Sequence, residues 1–569
     1  MRFPFAWLWF GVLTVAGCSS WNPMAVRSQS PDGAQAGRAR PRLVSELAVP
    51  YGMFPVQGEY VGLVVGLRGT GSDSAPSPQR SALLDEMQTR GIANPNHVLA
   101  SKNTALVLVR AVLRPGVQPG DRLDVEVRVP SRSETTSLRG GHLLETRLKE
   151  MALLNHQFHE GHLLALAEGP VMVDPTAKGR EDQVLLGRGR ILGGAVAKRA
   201  RPLGLVLKPG YQNVIYSARV AAAINKRFHT FHKGIKTGVA KAKTDEFIEL
   251  AVHPRYKDNI PRYVQVVRAV ALRETATERM ERIKELENRL LDPVGAAGAA
   301  LQLEALGKEG VEPLLGAIDS ENSEVRFYAA EALAYLDQRE AAVPLADIAR
   351  EQPAFRVFAL NALSSMNDFA AEEQLKGLLE LPSAETRYGA FRALWAMDPS
   401  DGLIMGEQLS GQFSYHVLGT SGPAMIHVTT ARRPEIVLFG QGQELRNPLA
   451  VEAGNQIMVT GSPGSNTISV ARFSVDKPAQ RRVVSTQVDE VIRAIVDLGG
   501  TYPDVVQALQ EAKSTGALTA RFEVDALPEA GRFYNRPPKD RENGSADTQT
   551  VERSKNPLAK LAGILKWGK

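Results

Sequence analysis

From about residue 41 to 275 the apolar positions fall in short stretches of strand length: Val61–Leu67, Thr104–Val112, Arg122–Val129 and Leu163–Val173. Stretches of this length, rich in β-branched residues and bounded by turn residues, suit pleated strands. The breaks at Arg114-Pro115-Gly116 and Gln118-Pro119-Gly120 supply a fixed φ at Pro and a permissive one at Gly. One segment keeps another period. Over residues 217–228, Ala218, Ala221, Ala222, Ile224 and Asn225 recur at helical spacing, which predicts a helix. The strand pattern returns after 402, at Glu435–Phe439, Gln456–Thr460 and Thr467–Phe473. Val488, Val491, Ile492 and Ile495 then share one helical stripe that Gly499-Gly500 stops. Pro503 and Asp504 suit the first turn of a second helix, which Gly516 ends. Leu518, Ala520, Phe522 and Val524 alternate as a closing strand.

Between these β-rich parts the pattern turns helical. Residues 278–291 are charged and amphipathic, and a repeat follows. Residues 324–337 align with 354–367 and with 385–398. Each copy has Arg at its third position (Arg326, Arg356, Arg387) and an Ala-Leu pair ending at Leu333, Leu363 or Leu394. Residues 342–349 read as a second helix between copies, and 311–318 as a degenerate fourth copy. Helix pairs that cannot bury their apolar faces alone must stack on their neighbours. The block resembles HEAT repeats over about 300–401, with Leu333, Leu363 and Leu394 as its expected core.

Composition adds little, but the N-terminus adds much. With 43% hydrophobic and 23% charged residues the chain is globular in kind. A net charge of +6 over 569 residues suits anionic surroundings without selecting one. The chain starts with Arg2, a mainly apolar run from Phe3 to Ala16, and Gly17-Cys18. That run is short of the roughly 20 residues of a spanning helix and reads as a secretory signal, 1–17. Val15-Ala16-Gly17-Cys18 resembles a bacterial lipobox, so Cys18 is the expected lipidation site. Ser19 and Ser20, rather than Asp, favour the outer membrane by the same resemblance. Cys18 is the only cysteine, which excludes an intrachain disulfide and any zinc site of two or more thiolates.

Three features bear on chemistry. Gly66, Gly69 and Gly71 suggest a phosphate cradle, but no Lys-Ser or Lys-Thr follows and the G-x-G-x-x-G order is absent. A strand and a glycine turn explain the loop better. His156, His159 and His162 would fan across a helix face, yet the following residues read as a strand, which separates them. No G-x-S-x-G or H-E-x-x-H pattern occurs. The expectation is no enzyme, no cofactor and no metal.

Longer motifs, taken in order, resemble the bacterial flagellar P-ring protein family. They are Val61–Gly71 with Asp73 close behind, Asn103–Ala111, Gly120–Val125, Ser137–Leu144, Leu164–Pro170 and Ala218–Asn225, then Leu498–Asp504 and Gly516–Leu518. The family-motif residues are Gly62, Gly66, Gly69, Gly71, Asp73, Ser137, Leu138, Arg139, Gly140 and Gly141. The resemblance implies an α+β fold: a β-rich ring-subunit scaffold with α/β segments, interrupted by the all-α repeats. It implies a structural subunit in the periplasm that self-associates into a ring around the flagellar rod. With the outer-membrane L ring it would form the bushing of the basal body. Expected partners are therefore other copies, rod and L-ring proteins, the surrounding peptidoglycan and an unknown protein on the HEAT repeats, with no nucleic acid. The expected division is 1–17 signal, 18–40 tether, 41–275 and 402–530 scaffold, 276–299 connector, 300–401 repeats and 531–569 polar tail. The tail ends in a short basic amphipathic stretch, 558–567. Three departures stand out: a lipid anchor, no cysteine pair, and an insert between Val264–Leu272 and Pro434–Phe439. They leave an alternative, an envelope lipoprotein adaptor that reuses the ring fold.

Overall fold

Strands form where the apolar stretches predict them. In the computed structural model, which describes residues 41–154, 157–177, 182–474, 478–534 and 536, Ala48–Tyr51 is β1 and Val56–Val65 is β2. They are followed by β3 (Thr104–Leu113), β4 (Arg122–Arg128), β5 (His142–Leu154), β6 (Gln157–Pro170) and β7 (Arg188–Ala197). The described residues up to Arg532 form one unit, and those from Phe533 belong to a second. The signal and tether, Cys18, His156 and 558–567 lie outside the described residues.

Strands β2 to β7 close into a barrel in the order β2-β3-β4-β7-β6-β5, with every pairing antiparallel. Closure removes the free edges that an open sheet leaves. Every second residue of β4 is buried or partly buried, and Val125 and Val127 join Val107, Val109, Leu143, Leu148 and Ala165 in a core. Outside the barrel, Val61, Leu63 and Leu106 are covered by Leu83, Met87 and Leu99. The first two of these come from the helix Pro78–Thr89 (α2) and the third from Pro95–Leu99 (α3), both C-terminal to the short α1, Val44–Leu47.

Beyond the one-turn helix Gln183–Leu186 (α4), strand β8 (Leu203–Leu207) pairs with β1. With β11 (Ala240–Ala242) and β12 (Phe247–Leu250) they form a sheet ordered β1-β8-β12-β11. The predicted helix appears as α5, Val214–Arg227, with Asn213 accepting from the Tyr216 amide at its N-cap. Strands β9 (His229–His232) and β10 (Ile235–Gly238) form a separate hairpin. The helix α6, Ile260–Arg268, ends this part.

Eight helices follow: α7 (Ala276–Leu290), α8 (Ala296–Leu306), α9 (Val311–Leu315), α10 (Ser323–Tyr335), α11 (Ala342–Glu351), α12 (Arg356–Ser365), α13 (Phe369–Leu378) and α14 (Ala384–Met397). Helices α8, α10, α12 and α14 pack side by side, with α9, α11 and α13 packed along them. Leu333, Leu363 and Leu394 are 0%, 0% and 2% exposed. The repeated arginine has a physical task. Arg356 donates to the carbonyls of Ala349 and Arg350 at 2.8 and 3.3 Å, and Arg387 to that of Leu379 at 2.7 Å. Each thus satisfies carbonyls at the C-terminal end of the preceding helix, where four have no helical partner and the dipole favours a cation. Arg326 instead donates to the Ser320 carbonyl at 2.8 Å, in the loop between α9 and α10.

The last part holds two sheets. Strands β13 (Glu407–Leu409), β14 (Phe413–Leu418), β15 (Met425–Val428), β16 (Glu435–Phe439) and β21 (Arg521–Val524) are ordered β13-β14-β16-β15-β21. Strands β17 (Leu449–Ala453), β18 (Ile457–Gly461), β19 (Thr467–Arg472) and β20 (Gln480–Ser485) form an antiparallel meander. Both pack on α15 (Val488–Asp497) and α16 (Tyr502–Ser514), whose Val488, Ile492, Val505 and Val506 lie in a shared core. Because β14 and β15 are the two partners of β16, this sheet begins well before Pro434, where the sequence motifs resume.

Candidate functional site

The two glycine-rich motifs meet at one end of the barrel. Gly62 lies within β2, and a Cβ there would stand 2.7 Å from Thr146 Oγ1. After β2 the chain turns at Gly66 and Gly69, with φ of 82° and 84°, a region open to glycine without steric cost. Fully buried Leu67 anchors the turn, its amide donating to the Asn103 carbonyl at 3.0 Å. The Gly69 amide donates to Asn103 Oδ1 at 2.9 Å and the Gly71 amide to the Lys102 carbonyl at 2.8 Å. At Gly71 any Cβ would overlap the Thr104 carbonyl oxygen. A phosphate cradle needs amides free to face the anion, and these two are bound to the chain itself.

The second motif clamps the first. Thr70 Oγ1 donates to the Ser137 carbonyl at 2.8 Å, and the Thr136 amide donates to the Thr70 carbonyl at 2.9 Å. Ser72 and Thr135 hydroxyls lie 3.0 Å apart. Ser137 Oγ accepts from the Arg139 amide, and Leu138 is fully buried. The Arg139 guanidinium donates to the carbonyls of Asp174 and Ala177 at 3.1 and 2.9 Å. A Cβ on Gly141 would come within 2.7 Å of Leu67. Asp73 stands apart, in a half-exposed pair with Arg80 at 3.3 Å, of a kind worth little. Asn455, in the turn between β17 and β18, touches both loops. Its carbonyl accepts from Arg68 at 2.9 Å, and its Nδ2 faces the Arg139 carbonyl at 3.4 Å, beside Gly140. In the sequence, Gly454-Asn455 between two alternating strands marks a turn but not what the turn touches.

Two buried polar clusters join the helical block to its flanks. Arg262 of α6 donates to Glu304 of α8 through Nε at 3.1 Å and through Nη2, and pairs with Glu331 of α10 at 2.7 Å. Both carboxylate side chains are 0% exposed. Tyr256 OH donates to Glu304 Oε1 at 2.6 Å, and its ring stacks on Tyr335 at 4.7 Å. Burial pushes the Glu304 carboxyl above its usual range, against the pull of Arg262. At the other end, Tyr388 and Arg392 of α14 donate to buried Glu435 of β16 at 2.6 and 2.8 Å. Arg387 donates to the Pro423 carbonyl.

A cleft of about 1210 Å³ opens between the barrel wall and α16, lined by Tyr60, Leu108, Val127, Val173, Val506 and Val524 among others. Its charged rim is partly paired, Arg110 with Glu59 at 3.4 Å and Arg190 with Glu126 at 3.9 Å. Of the histidine run, His159 and His162 fall on β6, a strand, and among the described residues no group of three His, Cys, Asp or Glu could hold a metal.

Residues 57–282 match the family model described as Flagellar P-ring protein. The flagellar P-ring protein of Albidiferax ferrireducens is 35% identical over 207 residues, covering 34% of this chain and 52% of that one. That of Thermotoga maritima is 31% identical over 235 residues, covering 39% and 63%. The chain thus spans about half to just under two thirds of the curated relatives it matches. A solved complex of CpcE and CpcF of phycocyanin lyase from Nostoc sp. is 26% identical and covers 22% of this chain and 84% of that one. Its TM-score of 0.19 is too low to bear on the fold.

Proposed function

We propose that this chain is a structural, non-catalytic subunit of a flagellar basal-body P ring. Many copies would assemble around the rod in the periplasm and, with the L ring, form the bushing in which it turns. One observation carries the reading. Within the span of the family match, both glycine motifs interlock at the barrel mouth, their amides and hydroxyls engaged with each other and with Asn103. We read such a mouth as a structural support. Ring closure then needs a head-to-tail interface between unlike faces of the subunit. A strain lacking the gene is expected to make no rotating flagella while keeping an intact envelope; normal swimming would refute the reading.

The helical block is read as a HEAT-like insert, 300–401 with a connector at 276–299, set into a scaffold of 41–275 and 402–530. Its task is to brace that scaffold, holding α6 at one end and β16 at the other. Support comes from the two buried clusters, at Arg262 and at Glu435. The substitution at Arg262 argued in the Discussion tests the brace.

The chain is further read as a lipoprotein held to the outer membrane through Cys18. Two or three acyl chains would hold it far more firmly than the marginal grip of one. Mass spectrometry of the native N-terminus should find acyl chains on Cys18, and Cys18→Ser should abolish them. An unmodified terminus would end this part of the proposal.

A further inference from the structure

The β9–β10 hairpin has the make-up of a surface that meets something other than protein. Its turn, Lys233-Gly234, has positive φ at both positions, 49° and 79°, the two-residue geometry whose twist matches that of the strands. The register sets Phe231 opposite Lys236 and His232 opposite Ile235. Every residue of β10 is exposed. Phe231 and Ile235 are each 70% exposed. Strand alternation places these two on opposite faces of the ribbon.

Along the hairpin itself the charge has one sign. From Phe228 to Ala242 there is no acidic residue. Lys226, Lys233 and Lys236 are exposed, whereas Lys241 stands opposite Glu249 in the β11–β12 register and Lys243 is paired with that residue at 2.8 Å. The hairpin is therefore a cationic ribbon with one large apolar side chain on each face.

We propose that this hairpin contacts an anionic phospholipid surface. A folded protein partner laid against the ribbon covers one face and leaves the other apolar residue in water. A lipid interface surrounds both faces at once, and it welcomes an aromatic ring at head-group depth. Lysine stems can lie along the apolar residues while their ammonium groups reach phosphates. The unpaired strand edges stay in the hydrated head-group layer, where water satisfies them; deeper burial would leave them unmet. Among the described residues no helix is long and apolar enough to cross a membrane, so the contact is peripheral. It rests neither on ring assembly nor on acylation of Cys18.

Flotation of the purified full chain with vesicles tests this. On phosphatidylcholine vesicles containing about one third phosphatidylglycerol, each surface lysine contributes roughly a factor of five in binding, so Lys233→Gln with Lys236→Gln should weaken partitioning about 30-fold. On pure phosphatidylcholine the same pair should change little. Phe231→Ser with Ile235→Ser should weaken binding about tenfold or more on the anionic vesicles, from lost apolar burial. All proteins compared carry Cys18→Ser, which removes any acyl chain, and keep the same basic tail, so differences report the hairpin alone. The altered side chains are solvent-exposed, and unchanged thermal melting would confirm that the variants fold; were the apolar pair to unfold the protein, the lysine pair alone decides. Equal partitioning of the Cys18→Ser parent and the lysine variant overturns the proposal, as it would if the hairpin docked an acidic protein instead.

Discussion

Arg262→Met is expected to cost about 3–5 kcal/mol of folding stability, the loss typical of a buried ion pair stripped of one partner. Arg262 sits between Glu304 and Glu331, whose side chains have no exposed surface. Removing the guanidinium leaves two carboxylates in a site water does not reach, with Tyr256 still bonded to one of them. The sign of the pH response follows. Burial already holds the Glu304 carboxyl above its ordinary range, and without Arg262 the shift grows. The folded variant then keeps a proton that the unfolded chain releases, so its stability falls as pH rises above the unfolded carboxyl value. The deficit should be larger at neutral pH than near pH 5. Denaturant titration of wild type, Arg262→Met and a variant with all three groups replaced by apolar ones of similar volume checks this. The triple variant should recover much of the loss, because an apolar cluster avoids the desolvation cost entirely. A single-variant loss below about 1 kcal/mol, the range of an exposed pair, would mean that the carboxylates reach water. The brace reading would then fall.

Acid should weaken the C-terminal sheet through His427. This residue of β15 is fully buried, stacked on Tyr388 with ring centroids 3.5 Å apart. Its Nε2 accepts from the Ala526 amide at 3.0 Å, which fixes the neutral tautomer with the proton on Nδ1. Protonation would place a second N–H against that amide. Burial accordingly holds its pKa down at about 3. The unfolded chain binds a proton near pH 6.5 and the folded one does not. The contribution is therefore complete above that value and is lost as pH falls toward 3, at up to about 1.4 kcal/mol per pH unit. His253, held down to about 4 by burial and then by Arg255 and Arg227, acts in the same direction. Buried Glu435, pushed up by burial, acts in the opposite one. His427→Gln keeps an acceptor for Ala526 and leaves the other two groups in place. Stability of the two proteins, compared from pH 7 to pH 5, should converge as the acid is increased. Parallel curves would show that His427 does not titrate between the folded and unfolded states.

What the chain shows by itself is local. Apolar periodicity placed β3, β4 and β16, and helical spacing placed α5 and α15, each within a few residues, because these patterns reflect which side of one element is buried. The repeated Arg326, Arg356 and Arg387 were visible as a repeat because each sits at the third position of a copy, and for Arg356 and Arg387 the end of the preceding helix recurs beside it. Gly66, Gly69 and Gly71 marked a turn for the same local reason, a backbone that few side chains tolerate. What they turn against was not legible. Asn455 reaches the Arg68 and Arg139 loops from more than 300 residues away, and no period in a sequence encodes a contact at that distance. Nor could alternation reveal that β2 and β5 pair to close the barrel, since a strand buries the same face whichever neighbour it has. The parallel pairing of β14 with β16 was hidden likewise. So was the meeting of Arg262 with two glutamates on two helices: charged residues in amphipathic helices read as solvated, and only packing α6 against α8 and α10 turned them into a buried cluster. Local sterics and burial patterns are written along the chain, whereas the partner of each face is settled only when distant segments compete for the same surface.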